Sequence, residues 1–305
     1  MAVGAGAFLT EAAVVQVPDL EVLEDAVDGL PMQIDRLTAA SETVRMSMLA
    51  SPGMSIATGL TDMPIRSSGG VVDGAIVVGV PLSAGTGSWN GVALREDRAW
   101  CYGPGAEHHG VAARPPWWAG VTVDRSLFSG SDQERLIRGA SVEIIESPTA
   151  GRLSQIVRAA ESAALEGMSE ARVALLRTDL VEAIAALGDD EKKLTMTAAA
   201  RLVRQCEVLA PELGPIPAVR ALADAVGTSD RWVRSAFSQT YGVAPSEYFR
   251  ALALARCRRD LEAAKPGLVT VTDVAVGAGF WHLGRFSAHY RAFFGESPSV
   301  TLARE

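Results

Sequence analysis

Near the C-terminal end of the chain, apolar residues recur three and four positions apart in short runs that glycines interrupt. Leu222, Ala223, Ala225 and Val226 make one such run, and Gly227 ends it with a residue suited to a left-handed turn. Ser229 is placed to cap a helix from Asp230 to about Thr240. That helix would bury Val233, Phe237 and Trp232 and turn Arg231, Arg234, Ser235 and Ser238 outward. The pattern then returns. Val274 and Ala275 precede Gly279, and a helix from about His282 to Phe293 carries Phe286, Tyr290 and Phe293 on one stripe. Between the copies a third helix is predicted from Ser246 to Ala264, with Phe249, Leu252, Ala255 and Leu261 on its apolar side. Pro245 stands before it and Pro266-Gly267 after it, as start and stop signals.

The copies can be laid over each other. Ala223 and Gly227 recur 52 residues later as Ala275 and Gly279. Val233, Phe237, Gly242 and Pro245 recur 53 residues later as Phe286, Tyr290, Gly295 and Pro298, so the second turn holds one extra residue. Helix, glycine turn and capped helix with a basic outer face form the helix-turn-helix plan, whose second helix enters the major groove of DNA. A connecting helix of about 18 residues would be about 27 Å long, a strut able to hold two such helices near the ~34 Å between successive major-groove faces. Two copies in tandem therefore point to DNA.

Upstream the pattern changes. Gly70–Pro81 is rich in β-branched residues and bounded by turn residues, and Gly91–Tyr102 and Val121–Asp124 also favour strands. From about Arg152 to Leu209 the period is helical. Leu153, Ile156, Val157 and Ala160 form one stripe, Val173, Leu176, Leu180, Ile184 and Leu187 a second, and Ala198, Leu202, Cys206 and Leu209 a third. The second stripe, bounded by Gly167 and Gly188, suits packing against the chain's own sheet or pairing with a second copy. Pro211, Gly214, Pro215 and Pro217 read as a short stiff linker. The expected domains are thus a mainly-β region over 1–150, a helical segment over 151–210, a linker over 211–217 and a helical DNA-binding domain over 218–305.

Composition refines this reading. A chain of 305 residues suits two domains, each with its own core. The net charge of −8 argues against DNA binding until it is divided. Residues 216–305 carry 11 Arg/Lys against 8 Asp/Glu, leaving 17 against 28 in the rest. Three widely spaced cysteines, Cys101, Cys206 and Cys257, suit free thiols in a reducing cytoplasm. The sequence shows no apolar run long enough to cross a membrane and no signal peptide, so a cytoplasmic protein is expected.

The segment Ile216–Leu302 resembles the DNA-binding domain of the AraC/XylS family of bacterial transcription regulators. The carrying stretches are GTSDRWVRSAFSQTYGVAPSEYFRALALARCRRDL and VTDVAVGAGFWHLGRFSAHYRAFFGESPSVTL. The resemblance implies seven helices, sequence-specific binding of promoter DNA, a homodimer, contact with RNA polymerase, and an N-terminal domain that senses a small-molecule effector. It also implies which side chains look into the groove. In the first copy these are Arg231, Arg234 and Ser235, and their counterparts in the second are Gly284, Ser287 and Ala288. Ser238 and Gln239 extend the first face, while His282, Arg285 and Arg291 flank the second and could grip phosphates. Trp281 departs from the small capping residue usual at that turn.

The stretch CYGPGAEHHGVAARPPWWAGVTVD is similar to a segment of some AraC-type N-terminal domains, which are often cupin-like barrels. The expected fold class is therefore α+β: a mainly-β, cupin-like barrel with a helical dimerisation segment, then an all-α double helix-turn-helix domain. In a barrel, Trp89, Trp100, Tyr102, His108, Trp117 and Trp118 could line an effector pocket. Glu107, His108 and His109 do not suit a metal, because adjacent histidines on a strand point to opposite faces. No cofactor is called for. The regulatory region lacks a nucleophile elbow, a phosphate loop and a Cys-x-x-Cys pair, and Gly85-Thr86-Gly87 is too little for a nucleotide site. Two alternatives stay open: control by a protein partner, and an enzyme carrying a DNA-binding appendage.

Overall fold

The computed structural model describes residues 31–39, 44–61, 64–83, 86–113, 117–137, 142–165, 170–189, 193–264 and 268–304. Gly85, Gly167 and the Pro266-Gly267 stop signal lie outside them. The described residues fall into two compact units. The described residues among 31–34, 44–61 and 67–196 form the first, and those among 35–39, 64–66 and 197–304 form the second.

Twelve strands are described: β1 (Met32–Arg36), β2 (Val44–Ser51), β3 (Met54–Thr61), β4 (Ile65–Gly70), β5 (Ala75–Pro81), β6 (Thr86–Trp89), β7 (Val92–Ala93), β8 (Arg98–Tyr102), β9 (Glu107–Ala113), β10 (Trp117–Asp124), β11 (Val142–Glu146) and β12 (Lys193–Leu194). They make two sheets, in the orders β1-β4-β9-β6-β7 and β12-β11-β8-β5-β10-β3-β2. Each order has two ends, so neither sheet closes. The expected cupin-like barrel is not formed, and the fold is a mixed α+β arrangement of two open antiparallel sheets and helices. The reason is one of edges: alternating apolar strands pair in the same way in an open or a closed sheet, and closure depends on whether the first and last strands meet.

Strand β5 shows how the larger sheet is built. Every residue of Ala75–Pro81 is buried, as a central strand covered on both faces requires. Ile76, Val78 and Val80 point to one side, where Cys101, Val121 and Ile145 from neighbouring strands join them. Helices α1 (Gly130–Leu136), α2 (Pro148–Leu165) and α3 (Glu170–Leu187) supply the opposing surface with Leu136, Leu153, Val157, Leu180, Ile184 and Leu187. Each such aliphatic side chain contributes about 1.5–3 kcal/mol by leaving water. The second sequence stripe thus splits. Leu180, Ile184 and Leu187 are buried in this core, while Val173 and Leu176 are half-buried and Leu175 is exposed.

The other side of β5 faces the smaller sheet through aromatic side chains. Trp89 on β6 meets Trp100 on β8 edge-to-face at 5.1 Å, and a Cβ at Gly79 would lie 2.9 Å from the Trp89 ring. The polar edges of these rings are satisfied within the cluster. Trp100 Nε1 donates to the Trp89 carbonyl at 2.9 Å, and the Tyr102 hydroxyl donates to Asn90 Oδ1 at 3.0 Å. His108 lies 2.9 Å from the Tyr102 hydroxyl through Nδ1 and 2.8 Å from Ser67 Oγ through Nε2. Asn90, at φ +46°, and Gly91 make the two-residue turn between β6 and β7, the Asn-Gly pairing such hairpins favour. Burial, and after it the charge of His109, push the His108 pKa from 6.5 down to about 3.

Two outcomes follow from this core. Gly79→Ala would press a methyl group onto a ring held by Trp100 and His108, and should lower the unfolding free energy by about 1–3 kcal/mol in denaturant titration. Neutral His108 also makes stability depend on pH. Its folded pKa lies below the unfolded value, so the full contribution is present above pH 6.5 and drains as pH falls toward 3. The steepest loss should be roughly 1.4 kcal/mol per pH unit, and His108→Gln should flatten that part of the profile.

Candidate nucleic-acid interface

Seven helices lie between Ala198 and Leu302 among the described residues: α4 (Ala198–Leu213), α5 (Val219–Ala225), α6 (Asp230–Tyr241), α7 (Pro245–Glu262), α8 (Val271–Gly277), α9 (Leu283–Phe294) and α10 (Pro298–Leu302). In the first copy, Gly227 adopts φ +68° after α5, and Ser229 Oγ accepts the Trp232 N–H at 3.2 Å to cap α6. Ala223, Val233 and Phe237 are buried where the two helices cross. Gly242 ends α6 in the left-handed conformation. Trp232, expected inside, is 36% exposed instead. It follows the cap by three residues and Val233 already fills the inward position, so its ring is left at the edge.

The second copy repeats this frame. Gly279 takes φ +86°, Ala275 and Phe286 are buried, and Tyr290 donates its hydroxyl to Thr301 Oγ1 at 2.9 Å. Helix α9 begins at Leu283, and His282 at the N-cap position gives no side-chain cap. Trp281, just before it, is 76% exposed.

The predicted contact residues emerge on open faces. Arg231, Arg234, Ser238 and Gln239 are exposed on α6, with Ser235 half-buried and accepting a hydrogen bond from Gln239 at 2.8 Å. His282, Gly284, Arg285, Ser287, Ala288 and Arg291 are exposed at the start and along the outer face of α9. Several neighbouring arginines are paired within the protein. On α7, Arg256 meets Asp260 at 3.6 Å, Arg258 meets Glu262 at 2.8 Å and Arg259 meets Asp35 at 2.8 Å. Arg220 meets Asp224 at 3.1 Å and Arg304 meets Glu296 at 2.6 Å. Arg231, Arg234, Arg285 and Arg291 form no ion pair among the described residues. Their positive charge is left for a partner outside the chain.

The frame behind them is held by two acids that periodicity did not disclose, half-buried Glu207 and buried Asp35. Glu207 on α4 accepts hydrogen bonds from Tyr241 at 2.6 Å and from Tyr248, whose rings stack at 4.4 Å. Burial first, and the Glu207 charge among the lesser causes, raise both phenol pKa values far above normal, so both stay donors. Asp35, with no exposed side-chain surface, takes Arg66 at 3.1 Å and Arg259 at 2.8 Å within the same unit. Glu207 follows Cys206 on the α4 stripe, where it reads as a surface charge.

In the first unit, Trp89, Trp100, Tyr102, His108 and Trp118 are buried, and Trp117 is half-buried. The Trp118 ring lies against Gly59, in the space a Cβ there would need. Among the described residues, no group of three or more His, Cys, Asp or Glu could hold a metal ion, and no helix is long and apolar enough to cross a membrane. None of the three cysteines is in a disulfide, and all three are buried.

Comparison with known proteins follows the same boundary. A helix-turn-helix domain family matches residues 222–304. A probable thc operon regulatory protein of Rhodococcus erythropolis is 36% identical over 84 residues, covering 28% of this chain and 25% of that protein. A XylDLEGF operon transcriptional activator of Pseudomonas putida is 37% identical over 81 residues, covering 27% of this chain and 25% of that protein. The chain thus spans about a quarter of the length of these relatives. The crystal structure of a probable AraC family transcriptional regulator from Rhodopseudomonas palustris is 33% identical, covers 33% of this chain and 94% of that one, and has a TM-score of 0.30. Two glycine-turned helix pairs, arginines that form no ion pair among the described residues and the two sequence likenesses coincide in one segment. That C-terminal segment is a helix-turn-helix domain similar to those of AraC/XylS-type DNA-binding transcription regulators.

Proposed function

We propose that this regulator binds promoter DNA through two tandem helix-turn-helix units, with α6 reading bases and α9 mainly positioning on the backbone. The unpaired charge on α6 carries the reading. Arg231 and Arg234 lie one turn apart, exposed and without an ion pair among the described residues, and each guanidinium can bridge O6 and N7 of a guanine. At the matching places α9 offers Gly284 and Ser287, with Arg285 and Arg291 beside them. Those groups suit phosphates, which fix register without reading sequence. The protein acts in the cytoplasm, as a homodimer that brings two such domains to paired half-sites and meets RNA polymerase there.

A second feature supports control by a small molecule. A shallow, open cleft lies between β2, β3 and the α2–α3 pair. Leu49, Met54, Ile56, Leu176 and Leu180 line it, and Arg177 stands among them. The helix neighbours of Arg177 at three and four residues are Val173, Ala174, Leu180 and Val181, so α3 offers it no acid. It forms no ion pair among the described residues. An apolar cleft with one unopposed guanidinium suits a compact carboxylate with a hydrocarbon body.

Alanine at Arg231 or Arg234 should cost about 1–3 kcal/mol of affinity and relax base preference at one position. Alanine at Arg291 should weaken binding evenly across sequences and reduce the salt dependence by about one phosphate contact. Titration of each variant against the selected duplex and its single-base mismatches checks both, and equal sequence sensitivity in the half facing α9 would overturn the division of labour. For the cleft, sodium octanoate below its micelle concentration should raise the melting temperature of the full chain. Octanol should not, and Arg177→Met should abolish the shift.

A further inference from the structure

The two helix pairs differ in length by one residue, and the backbone hydrogen bonds show which residue that is. In the first turn the Gly227 N–H donates to the Asp224 carbonyl at 3.3 Å and the Thr228 N–H to the Ala223 carbonyl at 2.9 Å. In the second, Gly279 N–H donates to Val276 at 3.0 Å and Phe280 N–H to Ala275 at 2.9 Å. Gly279 and Phe280 therefore stand where Gly227 and Thr228 stand. The next residue in the first copy, Ser229, is already the N-cap, whereas in the second the N-cap is His282. Trp281 is the added residue.

Its surroundings are telling. Phe280 is 8% exposed and closes the core of the second pair, against Phe286 at 5.0 Å. Trp281 is turned the other way and is 76% exposed. An indole in water gains nothing from folding, and its large apolar face with one N–H donor is most useful where a partner covers it. The residues that follow it in the chain on the outer face of α9, His282, Gly284, Arg285 and Ser287, are all exposed. The cations of that face, Arg285 and Arg291, lack an acid within the described residues, so the charge of the face matches a polyanion.

We propose that Trp281 is a DNA contact, its ring packing on apolar edges of the duplex (a thymine methyl or a deoxyribose) in the half-site that α9 faces. The contact supplies there part of the recognition that Gly284 and Ala288 cannot. This inference rests on the DNA-binding reading above.

The test uses the full chain and a duplex selected from a random-sequence pool by repeated binding and amplification. Trp281→Ala should weaken binding to that duplex about tenfold, with the melting temperature unchanged because the ring is mostly exposed. Trp281→Phe should recover most of the affinity. Deoxyuridine in place of thymine in the α9 half separates the two partners: a loss matching that of the alanine variant assigns the methyl group, and no loss assigns the sugar. Arg231→Ala is the control for the other half. A wild-type chain that selects no duplex would overturn the DNA reading and this inference with it. A selected duplex that Arg231→Ala weakens but Trp281→Ala binds within twofold of wild type would overturn the inference alone. Should the alanine variant melt early, Trp281→Lys decides: weaker binding despite the added cation supports the contact, and equal or tighter binding overturns it.

Discussion

Helix α7 is buried on nearly every side, and the layout of the C-terminal unit follows from that constraint. Tyr248, Phe249, Ala251, Leu254, Cys257 and Leu261 all lie inside, and even Arg258 is only 3% exposed. A helix so enclosed must neutralise its own charges, since an unpaired buried cation is costly. Buried Arg258 accordingly holds Glu262, and the more exposed Arg256 and Arg259 hold Asp260 and Asp35. The outer faces of α6 and α9 carry cations that form no ion pair among the described residues, while their inner faces are buried. The apolar centre and the basic surface are two sides of one requirement.

The same logic of occupied space governs the first unit. Gly79 and Gly59 lack side chains where Trp89 and Trp118 need room, so large rings fill the gap left by small residues on the next strand. The rings then bring polar edges into a dry region. Asn90, His108 and the Tyr102 hydroxyl answer one another, which is why a histidine can sit there neutral. Trp89, Trp100, Tyr102 and His108 pack on one another between the two open sheets.

Much of the C-terminal domain was legible from sequence. The glycine turns, the Ser229 cap and the buried Val233, Phe237, Phe286 and Tyr290 stand where the period put them. Local rules suffice there because left-handed turns, caps and amphipathic faces are set within a few residues. Trp232 escaped because a helix face is a range of angles, and a ring on its border takes the side that packing leaves. Glu207, Asp35 and Arg66 escaped because their partners are far away in sequence. The Trp281 insertion was present as the change of offset from 52 to 53, but naming the residue needed the backbone bonds on both sides.

The sequence by itself determined a repeated, glycine-punctuated helical pattern with outward arginines, and thereby the DNA-binding class. Helical period and turn chemistry are short-range, and one chain carries them in full. Tertiary structure decided what depends on distant meetings. The strands did not close into a barrel because sheet edges are settled by which strands meet. It decided equally which arginines spend their charge inside the protein and which keep it, because pairing depends on an acid arriving in space. On α6 none arrives, and the charge of Arg231 and Arg234 remains outward.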